Sequence, residues 1–400
     1  MRSSYARNAV VLGLLAAVGP FAIDMYLPAL PRIAASLHAS TAATQMTLMV
    51  FFLAFGLCQI VYGPVSDAVG RKPPLYFGLA LFTAGSIGCG LVGSIEWLIL
   101  LRFVQGIGAS AVMVIPRAII RDLHTGIEAT RLMSLVMLVL SVSPILAPLV
   151  GSGLIAAFGW RAVFAAVAVV AVLGFVLVAT CLPETRLPED RVRVSVASLL
   201  AGFGLLLRSR RFLGLTFIGG FGMASFMAFL ASSSFIYIDH FGLTPTQYSL
   251  AFSVNAVGFI GGSQFAAWLG ARFGMARVVT VAVLLYTAVA LALFAVTALG
   301  SDSLALLMAL LFAAFTCLGP VIPSTMVLAL EEHGVIAGLA SALGGTLQMV
   351  TGGIVIVVVS LFFDGTPRPM VATILLCAAV ALALSLATLR RRGLAPQPAA

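Results

Sequence analysis

The sequence predicts an all-α membrane protein with twelve transmembrane helices arranged as two pseudo-symmetric six-helix bundles. Three observations point there. Hydrophobic residues make up 62% of the 400 residues and charged residues only 9%, whereas a soluble domain carries about 25% charged residues to keep its surface wet. Apolar runs of about 20 residues, the length that crosses a bilayer, recur along the whole chain. The longest polar stretch falls between two sets of such runs. Length alone would suggest two or three soluble domains, but no soluble interior holds this much apolar surface, so hydropathy overrides length.

Taken in order, the runs predict helices over 8–30, 45–63, 74–94, 96–117, 132–155 and 161–181, then over 212–238, 247–270, 277–299, 304–328, 337–363 and 369–389. The first run contains Pro20 and Asp24 and lacks a clear small-residue cleavage site, so it reads as a retained helix rather than a removed signal peptide. The polar segment from Leu182 to Arg211 holds Glu184, Arg186, Glu189, Asp190, Arg191, Arg193, Arg208, Arg210 and Arg211. It divides the chain into an N-terminal bundle over 1–181, a linker over 182–211 and a C-terminal bundle over 212–400 with a short tail.

A net charge of +9 raises the question of nucleic acid, but the basic residues form no patch interleaved with exposed aromatics. They fall in alternate connections, which is a topology signal. One side receives Arg2, Arg7, Arg71, Lys72, Arg117, Arg121, Arg131, the linker arginines, Arg272, Arg277, Arg390, Arg391 and Arg392; the other receives only Arg32, Arg161 and Arg368. Both termini are therefore expected in the cytoplasm, with the chain multi-pass in the inner (plasma) membrane. The loop Glu331-Glu332-His333 on the basic side is acidic, a dissent that weighs little because acidic residues contribute little to orientation. Cys58, Cys89, Cys181, Cys317 and Cys377 lie in or at the ends of apolar runs without CxxC spacing or histidine neighbours, so they read as small hydrophobes and not as metal ligands or disulfides.

The halves carry a faint repeat. Gly63-x-x-x-Asp67-x-x-Gly70-Arg71 aligns with Ala267-x-x-x-Ala271-x-x-Gly274-Met275, each closing the second helix of its half, and the charges are missing from the second copy. Duplicated bundles with a substrate path at their interface are a common transporter architecture.

The loop Gly63 to Lys72 is the most specific segment. Gly63 permits close helix approach, Asp67 can cap and face the positive end of a neighbouring helix, and Arg71 can pair with a carboxylate from another loop, which together make a breakable latch. A basic loop obeying the orientation rule would explain Arg71 and Lys72 but not the glycines and the aspartate. With G-x-x-x-D-x-x-G-R-[KR] matched at Gly63, Asp67, Gly70, Arg71 and Lys72, the chain resembles the major facilitator superfamily, whose fold is the two-bundle one expected above. The resemblance implies latch contacts with helix eleven and with an acid ending helix four, which is Asp122 in this chain.

Helix one contains Asp24-Met25-Tyr26-Leu27-Pro28-Ala29-Leu30-Pro31. Asp24 is the only acid well inside an expected span. An intramembrane carboxylate is a functional candidate by default, with a helix-end cap near the outer interface as the alternative. This string resembles the Bcr/CflA branch of drug/proton antiporters, for which the acid is implicated in proton or cationic-substrate handling. In helix four, Arg102 and Gln105 are three apart and share a face, and a cation in the span needs a partner or a water-filled cavity. Asp24, at comparable depth, is the expected partner, so that proton binding would depend on whether the pair is intact. The run from Arg102 to Ala109 is similar to the R-x-x-Q-G-x-G-A motif, which implies a part in proton coupling for Arg102 and Gln105.

Helix five holds Pro144 and Pro148, four apart, which favour a bend, and Gly151 and Gly153, which allow close packing, so this is an expected hinge. It is similar to the antiporter motif G-P-x-x-G-G but carries Ala147 and Ser152 where glycines are usual. Gly159-Trp160-Arg161 and Leu182-Pro183-Glu184-Thr185 read as structural marks at the two ends of helix six, and the small-residue run Ala337 to Gln348 as a packing face of helix eleven. Met25, Tyr26, Met49, Phe52, Met113, Phe226, Tyr237, Asn255 and Gln348 are candidates to line a roomy, mostly apolar substrate cavity, though each can equally pack in the bundle or face lipid.

No G-x-x-x-x-G-K-[ST] loop is present, so the proton gradient is the expected energy source in place of ATP. No nucleophile, base or metal-ligand cluster suggests an enzyme, a metal site or a cofactor; the proton is the expected coupling ion. The expected partners are a small-molecule substrate and the lipid bilayer, with no nucleic acid, and the chain is expected to be a monomer. The function these features imply is proton-coupled multidrug efflux of small apolar or cationic compounds by alternating access. Export of a specific metabolite, such as the amino acid cysteine or a sugar, is the alternative within the same fold, and a non-transporting membrane sensor or channel is the alternative outside it.

Overall fold

A computed structural model describes residues 2–124, 126–191 and 196–389. Arg193 in the linker and Arg390, Arg391 and Arg392 in the tail, all used in the charge pattern above, lie outside the described residues. Among the described residues there is no strand, and twelve helices are long and apolar enough to cross a membrane. We number them α1 (Arg7–Ser36), α2 (Thr41–Val69), α3 (Lys72–Leu91), α4 (Ile95–Leu123), α5 (Arg131–Phe158), α6 (Arg161–Cys181), α7 (Arg210–His240), α8 (Pro245–Phe273), α9 (Met275–Ala298), α10 (Leu304–Glu331), α11 (Ala337–Phe362) and α12 (Pro367–Leu389). A shorter apolar helix, Val196–Arg208, lies between α6 and α7.

The expected spans are found, most with at least one end extended, while α3, α9 and α11 stop one to three residues short of their expected ends. α1 runs on to Ser36 because Pro28 and Pro31 sit in the first positions of new helical segments, Leu27–Ala29 and Leu30–Ser36, where a missing N–H costs nothing. α2 begins four residues earlier than expected because the Ser40 hydroxyl caps it, accepting a hydrogen bond from Ala43 N at 3.1 Å. Both prolines of helix five lie inside the continuous helix Gly126–Phe158. The last turn of α7, Phe235–His240, widens into a π-helix.

Two of the three arginines on the sparsely basic side close helix ends. Arg32 Nη1 donates to Ile155 O at 3.1 Å near the end of α5, and Arg161 Nη2 donates to Val92 O at 3.0 Å just past α3. The Arg161 contact satisfies a carbonyl at the helix end that the helix itself leaves without a partner, while the Arg32 contact adds to the bond that Gly159 N makes to Ile155 O at 3.1 Å.

The chain clusters into two compact units. Unit 1 comprises Met1–Ser198, Leu230–Val254 and Ile356–Thr366; unit 2 comprises Leu199–Phe229, Asn255–Val355 and Pro367–Ala400. In unit 1, α4 packs closely on both α2 and α3. Glycines permit this: a Cβ on Gly106 would lie 3.0 Å from Ala54 Cβ, and one on Gly85 would lie 3.1 Å from Gln105 Cα. Within the same unit, Gln45 Nε2 of α2 donates to Ala231 O of α7 at 3.0 Å, and Ser249 and Ser253 of α8 donate to Pro148 O and Ile145 O of α5, each at 2.9 Å. In unit 2, α8 and α10 approach at their glycines, where a Cβ on Gly319 would lie 2.6 Å from Ser263 N.

Candidate functional site

The latch is built at the end of α2. The helix stops because Gly70 takes φ +103°, ψ 166°, a conformation essentially reserved for glycine, and this swings Arg71 beneath the helix end. Arg71 is buried, at 4% exposure. Its Nη1 donates to Asp67 Oδ1 at 2.6 Å and to Ser66 Oγ at 2.8 Å; Nε and Nη2 grip Asp122 at 2.7 and 3.2 Å. Two-pronged binding of a carboxylate by a guanidinium is strong and directional, and it ties the end of α4 to the start of α3. Burial works against the Arg71 charge, but the two carboxylates outweigh it and raise its affinity for the proton.

Gly63 contributes differently from the expectation. A Cβ there would meet nothing within 4 Å, so no close helix approach occurs at this position. Instead its carbonyl accepts the Ser66 hydroxyl at 2.8 Å, which orients the oxygen that receives Arg71. The helix-capping role expected of Asp67 falls to Glu184. Its two oxygens accept from Arg71 N at 2.8 Å and Lys72 N at 2.9 Å, the free N–H groups that open α3, and Lys72 Nζ donates to Leu182 O at 2.8 Å. Burial pushes the Glu184 carboxyl up, yet the backbone N–H groups of Arg186, Lys72, Arg71 and Thr185 more than offset this and hold it below the usual range. Thr185 completes the cluster by donating to Asp122 Oδ2 at 3.0 Å. The segment Leu182 to Thr185, read from sequence as a mere helix closure, is thus part of the latch. The sequence signal was an acid beside a proline just after a span.

The second cluster surrounds Arg102, which is fully buried within α4. Its expected pair with Asp24 is not formed: among the described residues no ion pair involves either group. The reason is the break in α1. Tyr26 N bonds Ile23 O at 3.2 Å, three residues back, and so leaves Ala22 O free; Arg102 Nη1 approaches that carbonyl at 3.4 Å. The guanidinium carbon sits 4.5 Å from the Tyr26 ring centre and 4.3 Å from that of Phe51, a cation between two aromatic faces. Gln105 Oε1 accepts from Arg102 Nη1 at 2.5 Å, and Gln105 Nε2 donates to Ser86 Oγ at 2.8 Å, carrying the chain of bonds into α3.

Asp24 is the last residue of the first α-helical segment of α1 and is 6% exposed. Ser143, immediately before Pro144 in α5, donates to its Oδ2 at 3.3 Å. The same corner explains Gly151: a Cβ there would lie 2.9 Å from Met25 Cα, so α5 rests directly on the α1 main chain next to Asp24. Gly153, by contrast, has nothing within 4 Å of where its Cβ would be.

The substrate candidates separate. Tyr26 is fully buried, its hydroxyl bonded to Thr47 Oγ1 at 2.7 Å and its ring against the Arg102 guanidinium. Phe52 and Tyr237, also in unit 1, are buried, whereas Met49 and Met113 are partly exposed. Phe226, Asn255 and Gln348 belong to unit 2, where Phe226 stacks on Phe259 with ring centres 5.1 Å apart.

Comparison with known proteins agrees with this architecture. The sequence profile of the Major Facilitator Superfamily matches residues 12–356. The chain is 36% identical over 356 residues to the uncharacterized MFS-type transporter YdgK of Bacillus subtilis, covering 87% of each. It is 31% identical over 380 residues to the bicyclomycin resistance protein homolog of Haemophilus influenzae, covering 93% of this chain and 94% of the relative. The fold resembles that of the nucleoside transporter NupG, with a TM-score of 0.75 at 15% identity over 97% of this chain and 100% of that one. This chain is a multi-pass membrane protein of the Major Facilitator Superfamily, with relatives that place it in the Bcr/CflA branch of drug antiporters.

Proposed function

We propose that this protein exports small, largely apolar or cationic compounds in exchange for protons, by alternating access of two six-helix halves in the inner membrane, with both termini in the cytoplasm. The name of the bicyclomycin resistance relative supports drug efflux. The observation that carries proton coupling is Asp24: a buried carboxyl inside a span whose recorded hydrogen-bond partner is a single serine. A carboxylate at such depth costs about 2.5–3.5 kcal/mol, so loading and releasing a proton there changes the stability of the surrounding state substantially. In this reading Asp24 exchanges the proton, while Arg102, held between Tyr26 and Phe51, positions the break in α1 through Ala22 O and does not pair with the acid. Proton binding loosens the Ser143 contact with α5, whose Pro144, Pro148 and Gly151 let it move against α1. The Gln45, Ser249 and Ser253 hydrogen bonds described above must then break and re-form as Asp24 changes its access.

The test is transport in proteoliposomes under an imposed pH gradient. Asp24→Asn is expected to abolish gradient-driven drug accumulation while the protein still folds. Accumulation that persists unchanged in Asp24→Asn overturns the role of that residue, and absence of any gradient-driven flux in the unmodified protein overturns antiport.

A further inference from the structure

α4 carries a second arginine that the scheme above leaves unused. Arg117, counted above with the basic-side connections, lies inside the helix Ile95–Leu123 because α4 runs past its expected end, and it sits about 9 Å from that end by helical rise. An arginine so placed usually extends its side chain toward the nearby interface. Arg117 does the reverse: its Nη2 turns back one helical turn, to 3.8 Å from Met113 Sδ, a weak acceptor deeper in the span. Its Nε is buried and has no hydrogen-bond partner, and among the described residues no carboxylate comes within ion-pair distance. Asp122, the nearer of the two acids on the same helix, is committed to Arg71, and Glu96 lies in the first turn at the other end. Arg117 and Met113 nonetheless keep part of their surface uncovered by the rest of the protein. Seven residues before Arg117 on the same face, Ser110 keeps a buried hydroxyl that also lacks a partner.

A permanent cation inside a span that turns away from the interface and finds no anion in its own unit is a site short of its ligand. We infer that Arg117, with Met113 beside it, forms a subsite for the carboxylate of an exported compound, the thioether packing against the apolar body next to that group. The inference rests on the export reading and extends the cargo to compounds that carry an acidic group on an apolar frame.

The experiment is equilibrium binding, with no gradient, to the full-length chain in phosphatidylcholine nanodiscs. The probes are chloramphenicol hemisuccinate and its methyl ester, which differ in one negative charge. The unmodified protein is expected to bind the acid about tenfold more tightly than the ester, the scale of one charge-assisted hydrogen bond. Arg117→Gln should bring the acid to the level of the ester and leave the ester unchanged; Arg117→Lys should keep part of the preference. Equal binding of both probes, binding of neither, or a preference that survives Arg117→Gln overturns the subsite. A preference that vanishes in phosphatidylglycerol nanodiscs also overturns it, by assigning Arg117 to a lipid phosphate. Failure of proton-driven transport beside an intact binding preference refutes the export reading and leaves the subsite standing.

Discussion

The loops that end α2 and α8 are counterparts in the internal repeat, and they share a backbone without sharing chemistry. Gly70 takes φ +103° and Gly274 takes φ +83°, so both helices end on a residue that only glycine fills without strain. Around Gly70 gather Asp67, Arg71, Asp122 and Glu184; the positions around Gly274 hold Ala267, Ala271 and Met275. A Cβ on Gly70 would lie 2.9 Å from Glu184 Oε2, while one on Gly274 would meet nothing within 4 Å. The turn persists in both copies because a backbone requirement constrains one residue, whereas a charged latch needs several residues to be kept together. The second half forms its recorded ion pair elsewhere. Arg211 Nη1, at the start of α7, meets Glu332 Oε1 at 2.9 Å, which gives the one acidic loop on the basic side a local reason to be acidic.

Four substitutions sharpen this contrast. The largest effect is expected from Arg71→Ala, which leaves Asp122 without its two-pronged partner; breaking a buried pair from one side costs about 3–5 kcal/mol. Thermal unfolding in detergent should show a clear drop, and an unchanged midpoint would mean that the cluster carries no stability in this state. Next, Gly70→Ala and Gly274→Ala should each cost about 1–3 kcal/mol in backbone strain, with Gly70→Ala the worse because Glu184 must also move. Equal losses in the same unfolding measurement would show that the Glu184 contact yields freely. The smallest effect belongs to Glu332→Gln: its partner side chains are 25% and 38% exposed, and pairs of that kind are worth about 0–1 kcal/mol. A loss as large as that of Arg71→Ala would erase the distinction between the two halves.

The twelve spans were legible because crossing a bilayer imposes a length and a composition that few other structures share. That Arg71 would meet a carboxylate from another loop was legible from its charge at a helix end, and that the carboxylate is Asp122 followed from the resemblance to the family, since charge alone offers Glu184 as well. The capping of α3 by Glu184 was not, since the acid lies more than a hundred residues beyond the N–H groups it receives and only the folded bundle brings them together. The expected pair of Asp24 and Arg102 failed for a local reason. Equal depth in two helices says nothing of azimuth, and the change of helix type at Tyr26 offered Arg102 a carbonyl and an aromatic face instead. Ser143 went unnoticed because a serine before a proline in an apolar run carries no charge to draw attention.

Where α5 meets α1, Gly151 touches the main chain of Met25 with nothing but its own backbone. A joint made of backbone is indifferent to most changes of side chain around it. Neighbouring positions on both helices are therefore free to diverge under selection for new cargo without disturbing the corner that seats Asp24. Substrate range can drift while the means of driving transport stays constant, and mutational scans of α1 and α5 should find tolerance crowding close to the least tolerant glycine.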